Sequence, residues 1–234
     1  MSLTDLTEMA SADPFDLMAT EAARIHQFYA SLDDAGWAAP TRCADWDRRD
    51  LLAHLAALEE YIRAGLDGRV AELTAGQESW SLDERNAANI RRRAGVPRDL
   101  LLAQWYAASR ENVARLREYP PDATMDTAAG AYPARRQGFY LASELAIHAD
   151  DAGIPVPAVE LPSRRGWRVR FGRLALDEAG RRLMVSAGGR GQLVRLHADE
   201  ALLSDDDFVE ATAGRLPREH PLATPLRKVL AVLA

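Results

Sequence analysis

Apolar residues recur at spacings of three and four through most of the first 155 residues, which is the pattern of amphipathic helices. The clearest example is "DRRDLLAHLAALEEYIRAGLDG", where Leu51, Leu55, Leu58 and Ile62 fall on one face. We predict that this helix opens at Trp46 or Asp47 and closes at Gly65 or Gly68. An earlier helix is predicted from about Pro14 to Asp34, with Gly36 as its end.

Local capping and breaking signals delimit three further helices. Ser81 followed three residues later by Glu84 is a capping box, so one helix begins there with "SLDERNAANIRRRAG". The long segment "RDLLLAQWYAASRENVARLREY" is stopped by Pro120 and Pro121. A loop around Gly130 then leads into the last helix of this part, "RRQGFYLASELAIHADDAG".

The pattern changes after "IPVPAVELP", in which three prolines in nine residues cannot continue a helix. Beyond it, "RRLMVSAGGRGQLVRLHAD" is typical of two short strands around a glycine-rich turn. The segments "SDDDFVEATAGR" and "TPLRKVLAVLA" are predicted as helices beside those strands. We therefore expect a mainly α protein with a helical bundle over residues 1–155 and a small α+β domain over residues 156–234.

Composition narrows the functional classes. A hydrophobic content of 47% and a charged content of 27% are typical of a globular protein, and the net charge of −6 argues against a nucleic-acid partner. Cys43 is the only cysteine of the sequence, which suits a reducing compartment. The N-terminal residues lack the pattern of a signal peptide, and no apolar run approaches the length of a membrane span. We expect a cytoplasmic protein without a membrane partner, as a monomer or a weak homodimer.

Candidate chemistry lies in "SELAIHADD". Leu141, Leu145, His148 and Ala152 form one helical stripe, and Glu144 borders it one turn before His148. A carboxylate on a mostly apolar face needs a partner. Glu144 and His148 can bind one metal ion together, because side chains four residues apart lie on the same face of a helix.

A catalytic metal site needs a third protein ligand. His54 is the candidate, since it lies mid-helix in "DLLAHLAALEE" on the apolar side. A different interpretation remains open from the pattern alone. In it, the histidines are hydrogen-bonded core residues and Glu144 pairs with a buried arginine. Cys43 lies in a connector, where a structural role is preferred to that of a nucleophile.

Three segments resemble one family in order along the chain. They are "APTRCADWDRRDLLAHLAALEEYI", "LDERNAANIRRRAGVP" and "ELAIHADDAG", the last with the pattern E-x-x-x-H-x-x-D. Over about residues 15–155 the chain is similar to the mycothiol-dependent maleylpyruvate isomerase family of the DinB-like metal-binding superfamily. The resemblance implies a DinB-like four-helix bundle followed by a small C-terminal domain.

The same resemblance implies a divalent metal ion, usually zinc, held by His54, Glu144 and His148. Asp151 matches the family's aspartate and would orient a ligand from outside the coordination sphere. Arg85 and Asn86 match the family's third-helix pattern, where they would contact the thiol or the substrate, although solvation and local capping explain them equally well.

The implied cosubstrate is mycothiol, a low-molecular-weight thiol that a cation would hold as the thiolate. Addition of the thiolate to a maleyl double bond, rotation and elimination would isomerise the substrate, and displacement of a leaving group would make the protein an S-transferase. Arg215 is a candidate substrate contact, but "ATAGRLPREHPL" departs from the family's ending. Two alternatives remain, a metal-water hydrolase on the same bundle and a non-catalytic, metal-containing small-molecule binding protein.

Overall fold

The computed structural model describes residue 9, residues 12–189 and residues 191–233. The chain divides into two compact units, one of which is Pro14–Pro155, and the other contains the residues from Val156 onward. The predicted fold class, mainly α with a helical bundle and a small α+β part, is confirmed. Within the described residues, no helix is both long and apolar enough to cross a membrane.

The first unit contains seven helices and a two-stranded hairpin among its described residues. In chain order they are α1 (Pro14–Ala30), α2 (Asp34–Trp37), α3 (Arg48–Leu66), α4 (Val70–Leu73), α5 (Leu82–Arg92), α6 (Arg98–Arg117), β1 (Thr124–Thr127), β2 (Gly130–Pro133) and α7 (Ala134–Asp151).

The four long helices α1, α3, α6 and α7 form the bundle. Helix α7 packs on α1, α1 packs on α6, and α6 packs on α3. Their apolar stripes meet in a core of large, fully buried side chains, namely Met18, Ile25, Tyr29, Leu51, Leu52, Leu55, Ile62, Leu101, Trp105 and Leu116. Polar side chains of α3 and α7 also meet, and those contacts form the candidate site described below.

Two of the predicted helix starts are confirmed by cap geometry. The Asp47 side chain accepts a hydrogen bond from the Asp50 backbone N–H at 2.9 Å and caps α3. Ser81 and Glu84 form the complete capping box at the start of α5. Of the two glycines proposed to close α3, Gly68 follows the cap with a φ of +67°, a conformation that favours glycine.

The predicted end of the first helix is wrong. Helix α1 stops at Ala30, and Gly36 lies inside the separate short helix α2. The reason is a second cap, because the extended backbone at Asp33 cannot continue a helix and its side chain accepts from the Gly36 N–H at 2.7 Å. Asp33 therefore begins a new turn instead of extending α1 towards Asp34.

The prediction of a loop around Gly130 is also wrong, because that segment forms an antiparallel hairpin. Thr124 pairs with Pro133 and Thr127 with Gly130, where the φ of +97° closes the turn. Each strand has only four residues, too few to show an alternating pattern in the sequence.

Helix α3 and strand β1 approach each other closely at Gly65. A Cβ atom there would lie 2.6 Å from the carbonyl oxygen of Asp126 and 2.7 Å from Cε of Met125. Backbone cannot move aside as a flexible side chain can, so this position requires glycine for space.

The second unit contains a third strand and a helix that the pattern did not predict. Its elements are α8 (Leu161–Glu178), β3 (Met184–Gly188), β4 (Gly191–Leu196), β5 (Asp199–Leu203), α9 (Asp205–Thr212) and α10 (Thr224–Leu230). The strands form an antiparallel sheet in the order β3–β4–β5. The helices α9 and α10, and the strand pair β3–β4, agree with the sequence prediction.

The two missed elements have weak or contrary local signals. Strand β5 contains Glu200, Ala201 and Leu202, which favour helix, but pairing with β4 decides its conformation. Helix α8 buries Arg164 and Arg168 together with apolar residues, so it lacks a clean polar face. A buried cluster that includes Val194 and Phe208 forms the core of this unit.

Glu59, on α3, is a carboxyl group buried inside the first unit. Its side chain is 1% exposed, and Asn112 of α6 donates from Nδ2 to its Oε2 at 2.8 Å. Burial raises the pKa of Glu59 to about 7, and hydrogen bonds with Asn112 and Ser109 oppose the rise.

The close approach at Gly65 predicts the effect of adding a methyl group. Gly65→Ala should lower the free energy of unfolding by about 1–3 kcal/mol, since α3 and β1 must separate. Gly95→Ala is the matched control, because a Cβ atom there meets nothing within 4 Å. Chemical denaturation of both variants measures the difference, and equal stability of the two would contradict the packing at Gly65.

The raised pKa of Glu59 predicts a pH-dependent stability. Between about pH 4.5 and 7 the folded protein retains a proton that the unfolded chain has lost, so stability falls as pH rises and levels off above about 7. A shift of this size corresponds to about 3 kcal/mol. Glu59→Gln has no carboxyl group to ionise at this position, so its stability lacks this dependence on pH. The variant should therefore be more stable than the wild type at pH 8. Parallel pH–stability curves for the two proteins would refute the assignment.

Candidate metal centre

Three of the predicted site residues lie together in the first unit. His54 comes from α3, and Glu144 and His148 come from successive turns of α7. Oε1 of Glu144 lies 3.4 Å from Nε2 of His54 and 3.2 Å from Nε2 of His148. One potential ligand atom from each residue lies within 4.8 Å of the others, so the three groups converge on one small volume.

The site is enclosed on one side and accessible on another. The His148 side chain is 7% exposed and that of His54 13%, whereas that of Glu144 retains 35% of its surface. The two imidazole rings meet edge to face with their centroids 4.8 Å apart. The Trp46 ring lies 5.1 Å from that of His54 and 6.5 Å from that of His148, which gives the site an aromatic wall.

The electrostatics of the site favour a carboxylate in contact with positive charge. Burial opposes ionisation of Glu144, but hydrogen bonds and charge from His148 and His54 outweigh it and hold the pKa of this carboxyl well below its usual range. Burial also opposes charge on His148, and contacts with Asp151, Cys43 and Glu144 nevertheless raise its pKa. Each group therefore favours the charged form of its neighbour.

Asp151 lies behind His148 and receives two donors. Its Oδ2 accepts from Nδ1 of His148 at 3.2 Å and from the Cys43 thiol at 3.2 Å. The aspartate is 2% exposed. A proton on Nδ1 leaves Nε2 as the nitrogen that faces Glu144, so Asp151 fixes both the ring orientation and the tautomer in which His148 can bind a cation.

The connector between α2 and α3 holds Cys43 and Trp46 in place. Thr41 accepts from the Cys43 N–H at 3.1 Å and donates from its hydroxyl to the Trp46 carbonyl at 2.9 Å. The Arg42 N–H donates to the Asp151 carbonyl at 3.0 Å. These bonds attach the connector to the C-terminal end of α7.

Arg48 strengthens the same attachment from the first turn of α3. Its Nε donates to the Ala152 carbonyl at 2.9 Å, and its Nη1 donates to the Gly36 carbonyl at 3.2 Å. The Tyr29 hydroxyl donates to the Arg48 carbonyl at 2.8 Å, so α1 also takes part. The end of α7 that carries Asp151 is thereby held by several elements of the bundle.

The donor set fits a divalent cation. With Nδ1 of His148 donating to Asp151, a lone pair on Nε2 facing the Glu144 carboxylate at 3.2 Å would be repelled unless a proton or a metal ion lay between them. A tetrahedral zinc site with bonds of about 2.0–2.1 Å places its ligand atoms about 3.3 Å apart. The two distances from Glu144 to the histidines match that separation.

The other predicted site residues do not join this cluster in the described contacts. Arg85 and Asn86 are neighbours on α5, and Arg85 donates from Nη2 to the Gln77 carbonyl at 3.1 Å. Within the described residues, no hydrogen bond connects either of them to His54, Glu144 or His148. Arg215 belongs to the second unit, where its Nη1 donates to the Ala213 carbonyl. Their roles as thiol or substrate contacts stay predictions.

Two neighbours of the site were not predicted as part of it. Cys43 was interpreted as a structural connector residue, and the structure places its thiol on Asp151 and 3.9 Å from Nδ1 of His148. The sequence predicts Trp46 as a possible helix start and as part of a segment that resembles the family, without a role in the site. Neither residue has a periodic signal, because both lie in an irregular turn whose path depends on contacts distant in sequence.

Comparisons with known proteins agree with the helical bundle of the first unit. Residues 18–153 match the family described as the mycothiol maleylpyruvate isomerase N-terminal domain, and the chain belongs to that family. No curated protein matches the chain.

Two solved structures have a similar fold, and the DinB-like class expected from the sequence is confirmed by them. One is the crystal structure of the mycothiol-dependent maleylpyruvate isomerase, with a TM-score of 0.61, and the other is a histidine-to-alanine mutant of that enzyme, with a TM-score of 0.57. Each is 16% identical to this chain, and each alignment covers 86% of this chain and 88% of the other.

The contacts of Asp151 predict a local stability effect. Asp151→Ala should lower the free energy of unfolding of the metal-free protein by about 1–3 kcal/mol, because the buried donors of His148 and Cys43 lose their acceptor. Cys43→Ser is the control, since serine keeps a donor for Asp151 and should change stability less. Thermal and chemical denaturation measure both variants, and an Asp151→Ala protein as stable as the wild type would contradict the described contacts.

Proposed function

We propose that this protein is a metal-dependent, mycothiol-dependent enzyme that activates a thiol for addition to an electrophilic small molecule. The proposed reaction is the cis–trans isomerisation of a maleylpyruvate-like substrate, with thiol S-transfer as the related outcome of the same activation. The metal ion is proposed to be zinc, and the location cytoplasmic. Family membership supports the thiol and the isomerase chemistry.

The observation that carries the proposal is the convergence of two imidazole Nε2 atoms and one carboxylate oxygen in the bundle of this family. Two histidines and one glutamate are a frequent ligand set of catalytic zinc, which keeps a fourth position for a substrate or water. The exposed third of the Glu144 side chain gives this site an accessible side. A closed structural site would instead have four protein ligands.

Each residue has a distinct proposed task. His54, Glu144 and His148 would hold the ion, and Asp151 would keep Nε2 of His148 directed at it. A bound divalent ion would supply positive charge that stabilises a thiolate at neutral pH. Trp46 covers the His54 ring with an apolar surface and limits the access of water from that side.

The isomerisation regenerates the thiol cosubstrate unchanged, because the thiolate that adds to the substrate is later eliminated. The thiolate sulfur forms a bond to one carbon of the cis double bond, and the electron pair of that double bond moves into the conjugated carbonyl. Rotation about the resulting single bond follows, and elimination of the thiolate restores the double bond in the trans geometry. If the substrate carried a leaving group, the thiolate would displace that group and remain bonded to the product, which is the S-transfer outcome.

Metal analysis and activity together test the proposal. We expect about one equivalent of zinc by mass spectrometry in the wild type and much less in Glu144→Ala, because one of three ligands is lost. Glu111→Ala, an exposed glutamate on α6, is the control and should retain the metal. Isomerisation of maleylpyruvate, followed by absorbance, should require both mycothiol and the bound ion.

The results also separate the alternatives from the proposal. Hydrolytic turnover without any thiol would indicate a metal-water hydrolase. A wild-type protein that binds no metal when zinc is supplied would overturn the mechanism and favour a non-catalytic binding protein. In that case the two histidines and Glu144 would be a charged hydrogen-bonded group of the bundle.

A further inference from the structure

The Cys43 thiol borders the hydrogen bond between His148 and Asp151. Its Sγ atom lies 3.2 Å from Oδ2 of Asp151 and 3.9 Å from Nδ1 of His148, and those two atoms are 3.2 Å apart. The sulfur therefore lies beside both ends of one bond. The Asp151 side chain is buried, so its carboxylate depends on protein donors in place of water.

The thiol and the imidazole donate to the same carboxylate oxygen, Oδ2 of Asp151. Arg42 approaches the other oxygen, Oδ1, with its Nε at 3.9 Å, a charge contact beyond hydrogen-bond distance. A movement that takes Oδ2 away from Nδ1 of His148 also disturbs its bond with the thiol. Because both bonds end on one oxygen, the thiol opposes the movement that would release His148.

Backbone contacts of the connector fix the position of the sulfur. The Cys43 N–H donates to Oγ1 of Thr41 at 3.1 Å, and the Arg42 N–H donates to the Asp151 carbonyl oxygen at 3.0 Å. Two consecutive connector residues thus attach to Asp151, one at its carbonyl oxygen and one at its carboxylate. This double attachment orients the Asp151 side chain at the last residue of α7.

We propose that Cys43 is a positioning residue of the candidate metal centre. Its S–H group donates to Oδ2 of Asp151 and holds the carboxylate where it accepts from Nδ1 of His148. That bond keeps Nε2 of His148 directed at Glu144 and the ion. The role deepens the proposed function and rests on it for the metal, whereas the bond between thiol and carboxylate is present in the metal-free protein.

The side of the imidazole that Cys43 faces favours positioning over nucleophilic attack. Its Sγ approaches Nδ1 of His148, whereas Nε2 of the same ring faces Glu144 and the converging ligand atoms. A sulfur that reacts with a substrate at the ion has to lie on the Nε2 side. Cys43 therefore acts on the metal centre through Asp151 and forms no bond to the substrate.

Raman spectroscopy tests the bond directly, because Cys43 is the only cysteine of the sequence and its S–H stretching band is unique. Donation to a carboxylate lowers the frequency of this band, so Asp151→Ala should raise it. Asp45→Asn is the matched control, because this exposed aspartate is close to Cys43 in sequence and asparagine tolerates its φ of +65°. A band that Asp151→Ala leaves in place would overturn the proposal.

The variants Cys43→Ser and Cys43→Ala separate donation from packing, because they differ by one hydroxyl oxygen. An outer-shell partner of a metal ligand typically contributes about 10–100-fold to metal affinity, and Cys43 acts one contact further out. Cys43→Ala should therefore bind zinc about fivefold more weakly than the wild type, and Cys43→Ser within about twofold of it. Competition with a chromophoric chelator measures the affinities. Ser31→Ala, which removes an exposed donor after α1, should change nothing.

NMR supplies a readout that needs no metal. The Nδ1–H proton of His148 is assigned by its absence in His148→Asn. It should exchange with water about tenfold faster in Cys43→Ala, since loss of the sulfur opens both ends of its hydrogen bond to water. Cys43→Ser should restore slow exchange.

Equal zinc affinity and equal exchange in Cys43→Ala and Cys43→Ser would overturn donation by the thiol. So would a Cys43→Ala protein that loses stability but keeps the wild-type affinity and exchange, which is the behaviour of a merely structural residue. If the wild type bound no zinc, the proposed function would fail, and the Raman band and the Nδ1–H exchange would still decide whether Cys43 positions His148.

Discussion

A carboxylate oxygen that faces two imidazole nitrogens requires positive charge between them, and much of the first unit is arranged around that requirement. Glu144 meets His54 and His148 at 3.4 Å and 3.2 Å, distances that suit either shared protons or a bound ion. Helix α7 supplies two of the three groups and α3 the third. The connector before α3 supplies the thiol that, together with His148, donates to Asp151. Loss of alignment between α3 and α7 would therefore leave buried charge unpaired, which is far costlier than the loss of an apolar contact.

Two glutamates of the bundle, Glu144 and Glu59, show how the environment determines the behaviour of a carboxyl group. Glu144 faces two histidines, and the pKa of its carboxyl is lowered despite burial. Glu59, on α3, faces an asparagine and a serine, and burial raises the pKa of its carboxyl to about 7. The same side chain thus provides a carboxylate that stays ionised at one position and a group that titrates near neutrality at the other. The difference arises from the partners on the facing helices, α7 in one case and α6 in the other.

Periodic and capped elements were predictable from the sequence, and elements fixed by distant contacts were not. The stripe of α3, the Asp47 cap and the Ser81–Glu84 box are local signals, and the structure contains all three. The hairpin at Gly130, the strand β5 and the early end of α1 depend on pairing or on a cap that competes with helix propensity. In the site, helical spacing pointed to Glu144 and His148, and the position of His54 on the apolar side of α3 made it the candidate third residue. The approach of Cys43 to Asp151 depends on an irregular turn, and no spacing rule predicts it.

The chain is only 16% identical to solved structures of the same fold. This low identity is consistent with the different sequence requirements of an apolar core and of a polar site. A helical bundle core needs apolar residues of suitable volume on the inner faces, and many sequences meet that condition. A metal centre needs particular donor atoms at particular separations, and few substitutions preserve them. In this chain the proposed donor atoms lie on α3 and α7, inside the residues that match the family. The physical constraints therefore favour retention of the proposed metal site while the apolar packing around it varies.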